Sequence, residues 1–291
     1  VNYPGYSTIG DFFQERRKMA QNFPKSFTAK CGGQQAADLL CDATGLSKSR
    51  IKDAMQKGAV WLQKANQAKR RRLRRASTLL RRGDRLFFSY DAGILATKPQ
   101  PPELVADRTH YSVWNKPAGM LCQGTEYGDH ASLLRLVEQY FTPRRRVYLL
   151  HRLDREASGL VLIAHTGKAA ALLSQLFKER KISKLYLATV SGKPGDQGST
   201  RTISTPLDGK EAITRLTVLA FDAEKNQSRL EICIETGRLH QIRRHLAEIG
   251  HPLIGDQRYG AAAPEGLQLK AISLAFTCPF TDRPVVFTLE A

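Results

Sequence analysis

His151-Arg152-Leu153-Asp154-Arg155-Glu156-Ala157-Ser158-Gly159-Leu160-Val161-Leu162-Ile163-Ala164 passes from a charged turn into an unbroken apolar run. The run Leu160–Ala164 has the character of a buried strand, which puts the Asp154 carboxylate at its mouth. Removal from water opposes the charged form there unless a cation or hydrogen-bond donors support it, so a carboxylate in that place usually has a task. On these residues alone the plain reading, in which Asp154 caps a turn or pairs with Arg152, stands level with the functional one.

A second stretch favours the chemical reading. Glu235-Thr236-Gly237-Arg238-Leu239-His240-Gln241-Ile242-Arg243-Arg244-His245 supplies cations and donors directly after the alternating run Leu230-Glu231-Ile232-Cys233-Ile234. With both stretches in view the chain resembles the RluA-type pseudouridine synthases, which isomerise uridine in RNA. HRLDREASGL (151–160) is similar to the family's catalytic loop, KLYLA (184–188) to its tyrosine segment, TGRLHQIRRHL (236–246) to its arginine segment, and GHPLIGDQRYG (250–260) to its closing signature. Four segments in one order are far more specific than any one of them.

The resemblance implies a role for each matching residue. Asp154 is the catalytic aspartate, acting as a nucleophile or stabilising a charge-separated sugar, and a carboxylate suits both tasks at a glycosidic carbon. Tyr186 is the stacking ring of the extruded base, with a hydroxyl that assists late removal of the carbon-5 proton; by pattern alone, an aromatic in an alternating strand is ordinary core. Arg238 is the expected counter-charge: at about 4 Å a guanidinium favours the anion by about 4 kcal/mol at an effective dielectric near 20. A phosphate contact is the other use of Arg238. Arg152, on the same face of extended backbone as Asp154, is expected to contact RNA, as is Arg243, whereas His240 and Gln241 are read as structural hydrogen-bonders. Lys116-Pro117-Ala118-Gly119 matches a further family segment as a turn lining the cleft. Ala157 stands where the family commonly has threonine, which removes one supporting hydroxyl from the catalytic loop.

The 291 residues carry a net charge of +18, with a pI near 9.9. Such an excess, gathered on one face, makes a polyanion-binding surface. Much of it is gathered: Lys64, Lys69, Arg70, Arg71, Arg72, Arg74, Arg75, Arg81 and Arg82 accumulate without an acid between them. These read as a solvated basic loop whose Arg70, Arg71 and Arg72 neutralise phosphates without reading sequence. Five scattered cysteines lack the paired spacing of a zinc site and suit reduced thiols in a cytoplasmic protein. No apolar segment approaches the roughly 20 residues that span a bilayer. There is no dinucleotide fingerprint, phosphate-binding loop or metal cluster, in keeping with a cofactor-free isomerase.

Four regions are expected: an extension over residues 1–25, a small RNA-binding domain over 26–92, a proline-stiffened linker over 93–102 and a catalytic domain over 103–291. In the second region, helical spacing at Ala36–Leu40 and Ile51–Met55, with Ser47 or Ser49 as caps, is followed by a strand at 58–62 and a turn and strand at 79–88. This order resembles the RNA-binding domain of the ribosomal-protein S-four type, which implies RNA contacts at Lys48, Arg50, Lys52 and Lys57. The catalytic domain shows strand-like runs at 111–113, 160–164, 186–190, 213–218, 230–234 and 285–289, with helices near 131–140, 168–180 and 238–249. The expected class is α+β with a mixed, largely antiparallel sheet.

The expected activity is pseudouridine formation in structured RNA, ribosomal RNA of the large subunit first and transfer RNA second, by a monomer that needs no membrane. A non-catalytic RNA-binding or ribosome-assembly protein is the alternative from another class. A two-carboxylate hydrolase using Asp154 and Glu156 stands third.

Overall fold

The computed structural model describes residues 25–290, so residues 1–24 of the expected extension lie outside it. The chain divides into two compact units, Val1–Pro99 with Gln123–Arg135, and Gln100–Cys122 with Leu136–Ala291.

The first unit, within its described residues, sets two helices, α1 (Ala36–Thr44) and α2 (Lys48–Gln56), with a sheet ordered β1 (Ser26–Thr28), β4 (Arg85–Phe88), β2 (Val60–Gln63), β3 (Arg70–Arg72). Gly45 closes α1 in a left-handed conformation, and the Ser47 hydroxyl caps α2 by accepting from the Arg50 N–H at 3.4 Å. Alternation sorts the strands: Phe27, Leu62 and Leu86 join Leu40, Ile51 and Met55 in the core, whereas Ser26, Trp61, Gln63 and Phe87 stay half-buried on the other face.

The basic stretch after Leu62 is not the loose loop expected. Arg70–Arg72 pairs antiparallel with Leu62 and its neighbours as β3, Leu73 and Leu80 are buried, and Asp84 gathers the Lys64 ammonium at 2.8 Å and the N–H groups of Ala65 and Arg81. A buried carboxylate with three donors orders the segment around it. Most of the stretch expected as a linker, up to Pro99, also belongs to this unit: α3 (Ala92–Leu95) buries Leu95 in its core. So do residues 123–135, since Asp129 accepts from Arg72 Nε at 3.1 Å and Arg74 Nη2 at 2.6 Å, and its N–H donates to the Lys57 carbonyl at 2.9 Å.

The second unit is built on one large sheet. Its strands are β5 (Glu103–Arg108), β6 (Tyr111–Lys116), β7 (Tyr148–Leu149), β8 (Ser158–Ala164), β9 (Ser183–Ser191), β10 (Thr200–Ile203), β11 (Thr214–Asp222), β12 (Gln227–Ile234), β13 (Leu269–Thr277) and β14 (Pro284–Thr288). The main path runs β10-β11-β12-β9-β13-β8-β6-β5, with β14 on β13 and β7 on β8. Every pairing is antiparallel except β13 with β8, so the class is α+β with a mixed, largely antiparallel sheet. Its helices are α5 (Gly167–Lys178) and α6 (Gln241–Glu248), together with α4 (Leu133–Tyr140) from Leu136 onward. Helix α6 begins three residues later than its periodicity suggests, because His240 takes a left-handed φ of 52° and breaks the turn before it.

One row across this sheet organises the rest. Gly159 on β8 lies opposite Ala271 on β13, Ala271 opposite Tyr186 on β9, and Tyr186 opposite Ile232 on β12. Gly159 has φ of 112°, and a Cβ there would sit 2.2 Å from the Ala271 carbonyl oxygen. Only glycine lets these backbones close at this point. Gly159→Ala is expected to lower unfolding stability by about 2 kcal/mol or more, measured by urea denaturation.

Candidate active site

Asp154 sits in the turn between β7 and β8, five residues before the row through Gly159, and Tyr186 lies two strands from that row's start, roughly 10 Å away at ordinary strand spacing. Both line an open cavity of about 640 Å³, together with Arg152, Arg238, His240 and Arg243. The three residues expected to carry catalysis therefore share one hollow.

The guanidinium beside Asp154 is that of Arg243, not of Arg238. Arg243 Nη1 approaches Asp154 Oδ2 at 3.4 Å and Glu156 Oε2 at 3.7 Å. Its Nε and Nη2 grip both oxygens of buried Asp256 at 2.8 Å each, a fork-to-fork geometry, and its plane lies 5.4 Å from the Tyr259 ring. The Asp256 hydrogen bonds hold the Arg243 guanidinium well above its ordinary pKa, so it is permanently charged. Asp256 is itself held below the usual carboxylate range: burial works against the charge, but Arg243 and the N–H groups of Arg258 and Tyr259 outweigh it. Arg243, expected as an RNA contact, is instead a buried residue of the cavity wall engaged with Asp256, Asp154 and Glu156. Arg238 instead belongs to the turn before α6, where its Nε donates to the Glu211 carbonyl at 2.8 Å, and its place is the cavity wall.

His240 also departs from expectation, while Gln241 matches it. Buried Gln241 accepts from the Thr236 hydroxyl and the Arg238 N–H, and donates to the Ile213 carbonyl and the Thr214 hydroxyl, pinning the whole turn. The His240 ring faces Asp154, with Nε2 3.7 Å from Oδ1 and Nδ1 3.0 Å from the Tyr259 hydroxyl. Burial lowers its pKa, so at neutral pH the contact with Asp154 is a polar approach and not an ion pair. Burial first, and the Asp154 anion second, raise the Tyr186 hydroxyl well above its ordinary pKa.

The turn bearing Asp154 is braced from behind by backbone acceptors. Fully buried Lys116 directs Nζ to the carbonyls of Pro117, Met120, Arg155 and Ala157 at 2.6–3.3 Å. Burial pulls its pKa down to about 8, which still leaves it protonated at neutral pH. The Gly119 N–H adds a bond to the Arg155 carbonyl at 2.8 Å, and the Cys122 thiol meets both the N–H and the carbonyl of Leu153. The N–H of Leu162 donates to His151 Nε2 at 3.0 Å, and the imidazole packs on Phe177 at 4.8 Å. His151 is therefore an anchor of the loop, and Ala157 is buried where a threonine hydroxyl is common.

Among the expected RNA contacts, Arg152 is exposed at the cavity, and Lys48, Arg50, Lys52, Arg70 and Arg71 are exposed in the first unit. Lys48 pairs with Asp38 at 2.6 Å and Lys57 with Asp53 at 2.9 Å. Arg72 departs from the expectation of a loose phosphate contact, being half-buried and bound to Asp129, the Gly58 carbonyl and the Thr125 carbonyl. Asp256 and Tyr259 are the site residues without an individual expectation; the signal lay in GDQRY (255–259), read only as part of a closing signature.

The family model for RNA pseudouridylate synthase matches residues 110–248. The chain is 33% identical to the dual-specificity RNA pseudouridine synthase RluA of Salmonella typhi over 215 residues, 66% of this chain and 95% of that protein. It is 30% identical to the ribosomal large subunit pseudouridine synthase D of Zymomonas mobilis subsp. mobilis, covering 65% and 69% respectively. Among solved structures, human RNA pseudouridylate synthase domain containing 1 superposes with a TM-score of 0.57 at 23% identity, covering 67% of this chain and 86% of that one, a likeness of fold.

Two outcomes test the bracing. Lys116→Met strands four carbonyls and is expected to cost about 2–4 kcal/mol in chemical denaturation. His151 titrates near 6.5 when unfolded and, because burial opposes its charge, near 3 when folded. Between those values the unfolded chain binds the extra proton, so stability falls as pH drops from 6.5 toward 3, by up to about 1.4 kcal/mol per pH unit. Unfolding curves of His151→Gln are expected to lack that part of the slope.

Proposed function

Because the chain belongs to the RNA pseudouridine synthases of the RluA type, we propose that it isomerises uridines in structured RNA, large-subunit ribosomal RNA foremost, with Asp154 as the reacting carboxylate. The single observation that carries this reading is the Asp154 carboxylate, held by Arg243 in a cavity walled by Tyr186. Isomerisation breaks the bond from ribose to ring nitrogen, rotates the uracil and rejoins it through carbon 5. Atoms and electrons balance within the substrate, so the reaction calls for no cofactor.

The residues divide the work by position. Asp154 faces the reacting nucleoside, either bonding to it or stabilising a cationic sugar, and both uses need the anion that Arg243 supports. The Tyr186 ring supplies the flat wall for an extruded base, whose unstacking costs a few kcal/mol that the pocket must offset. Its hydroxyl, kept protonated by burial and by the Asp154 anion, begins the reaction as a hydrogen-bond donor. Arg152 and Arg238, with Lys178, Arg180 and Lys184 on the same cavity, give its wall a positive balance suited to phosphates. Lys48, Arg50, Lys52, Lys57, Arg70 and Arg71 are the matching contacts of the first unit.

The ribosomal target is supported by the likeness to the Zymomonas mobilis large-subunit synthase, and transfer RNA is second. Free thiols at all five cysteines support a reducing compartment such as the cytoplasm, and work as a monomer completes the reading.

Asp154→Asn is expected to abolish pseudouridine formation, scored by chromatography of digested RNA, with RNA affinity kept. Undiminished activity in that variant would sink the mechanism. Arg243→Lys loses the two-pronged grip and is expected to slow turnover about a hundredfold, the effect of a small misplacement of a reacting group. Mapping pseudouridines across ribosomal and transfer RNA, with and without the gene, names the target.

A further inference from the structure

We propose that the outer face of the small sheet in the first unit is a stacking platform that captures unpaired bases of RNA. Cross-strand register lines up Ser26 on β1, Phe87 on β4, Trp61 on β2 and Arg72 on β3 in a single row. The adjoining row on the same face is Thr28, Arg85, Gln63 and Arg70. Phe27, Leu86 and Leu62 point to the core, so two half-buried aromatic rings flanked by arginines are what this sheet turns outward.

Those rings are surrounded by cationic planes. The Arg70 guanidinium lies 3.5 Å from the Phe87 centroid, Arg85 5.3 Å from the same ring, and Arg72 4.3 Å from the Trp61 ring. The two neighbours differ in freedom. Arg72 is fixed by Asp129 and two carbonyls, whereas Arg70 is exposed and forms no ion pair among the described residues. Arg70 therefore serves as a cap that a base can displace or extend, and Arg72 as a rigid back wall. A cavity of about 480 Å³ opens at these groups, rimmed by Lys25 and Glu126, which pair at 3.9 Å.

A second, independent observation asks for a ligand. The Trp61 Nε1–H is buried with no acceptor among the described residues, although Trp61 lines this cavity. A buried donor without a partner is costly, and a base carbonyl or a phosphate oxygen in the cavity removes that cost. Aromatic faces, planar guanidiniums and an unspent donor under a positive field match an unpaired nucleotide strand better than a protein segment. A duplex offers phosphates but hides its base faces. The assignment rests on the reading that the chain acts on RNA, and differs from it in place and chemistry, since nothing here reacts.

The test uses the full chain carrying Asp154→Asn, so that binding is read without turnover. Trp114 is fully buried, which makes a ligand-dependent change in tryptophan emission a report on Trp61. A short oligouridylate is expected to quench that emission saturably, while its abasic counterpart and a blunt duplex of the same length do so far more weakly. Trp61→Ser, followed by anisotropy of the labelled strand, and Phe87→Ser, by either signal, are each expected to weaken binding about tenfold, within the range for loss of one stacked base. Phe87→Tyr, which keeps the flat ring and serves as a folded control, is expected to retain it, and Trp61→Phe, which keeps a ring but loses the Nε1–H, to lose less than Trp61→Ser. Equal affinity for the abasic strand, no quenching by the oligouridylate, or parental affinity in a Phe87→Ser chain that melts normally would each overturn the proposal. Parental Asp154 chains that quench normally yet form no pseudouridine would instead refute the isomerase reading and leave the platform standing.

Discussion

A buried guanidinium shared among three carboxylates is the constraint on which this candidate site depends. Arg243 and Asp256 are both removed from water, and each answers the other's charge through two parallel hydrogen bonds. Breaking such a pair by removing one partner costs about 3–5 kcal/mol, since the survivor stays buried and unbalanced. The pair is thus a fixed fitting, with one nitrogen left over. That nitrogen faces Asp154 at 3.4 Å, with Glu156 beside it at 3.7 Å, so the Asp154 carboxylate is oriented by a cation it did not have to immobilise.

The loop carrying Asp154 is held mainly through its main chain. Carbonyls of Arg155 and Ala157 end on the Lys116 ammonium, Leu153 ends on the Cys122 sulfur, and Gly159 presses against the backbone of β13. Side chains of the loop are left for the cavity, which is how a turn can be rigid and still present Arg152 and Asp154 outward. The αL conformation of His240 serves the same division, ending the turn pinned by Gln241 and starting α6 at the residue that lets Arg243 point inward.

Much of this was legible in the residues, and the parts that were not have physical reasons. The apolar run after Asp154 and the alternation around Tyr186 identify β8 and β9 because burial on one or both faces leaves a period. The identity of the counter-charge was not legible. Arg238 and Arg243 are both candidates within one segment, and the choice turns on where α6 begins, which a single left-handed residue decides. Asp256 gave no warning either, because its partner lies 13 residues away on another element. Strand β13 is not legible although it lies at the centre of the sheet: its irregular register, shifted between Ala271 and Ser273, blurs the alternation. The basic stretch looked unstructured by charge, and the two leucines and one aspartate that fold it are outnumbered in composition.

The order of these pieces along the chain bears on synthesis. Asp154 precedes Arg243 by 89 residues, and Asp256 comes later still. The first unit, by contrast, draws on nothing beyond Arg135. During translation every residue of the first unit, and Asp154 itself, emerges before Arg243 and Asp256, so the carboxylate waits for its cation until most of the chain has been made.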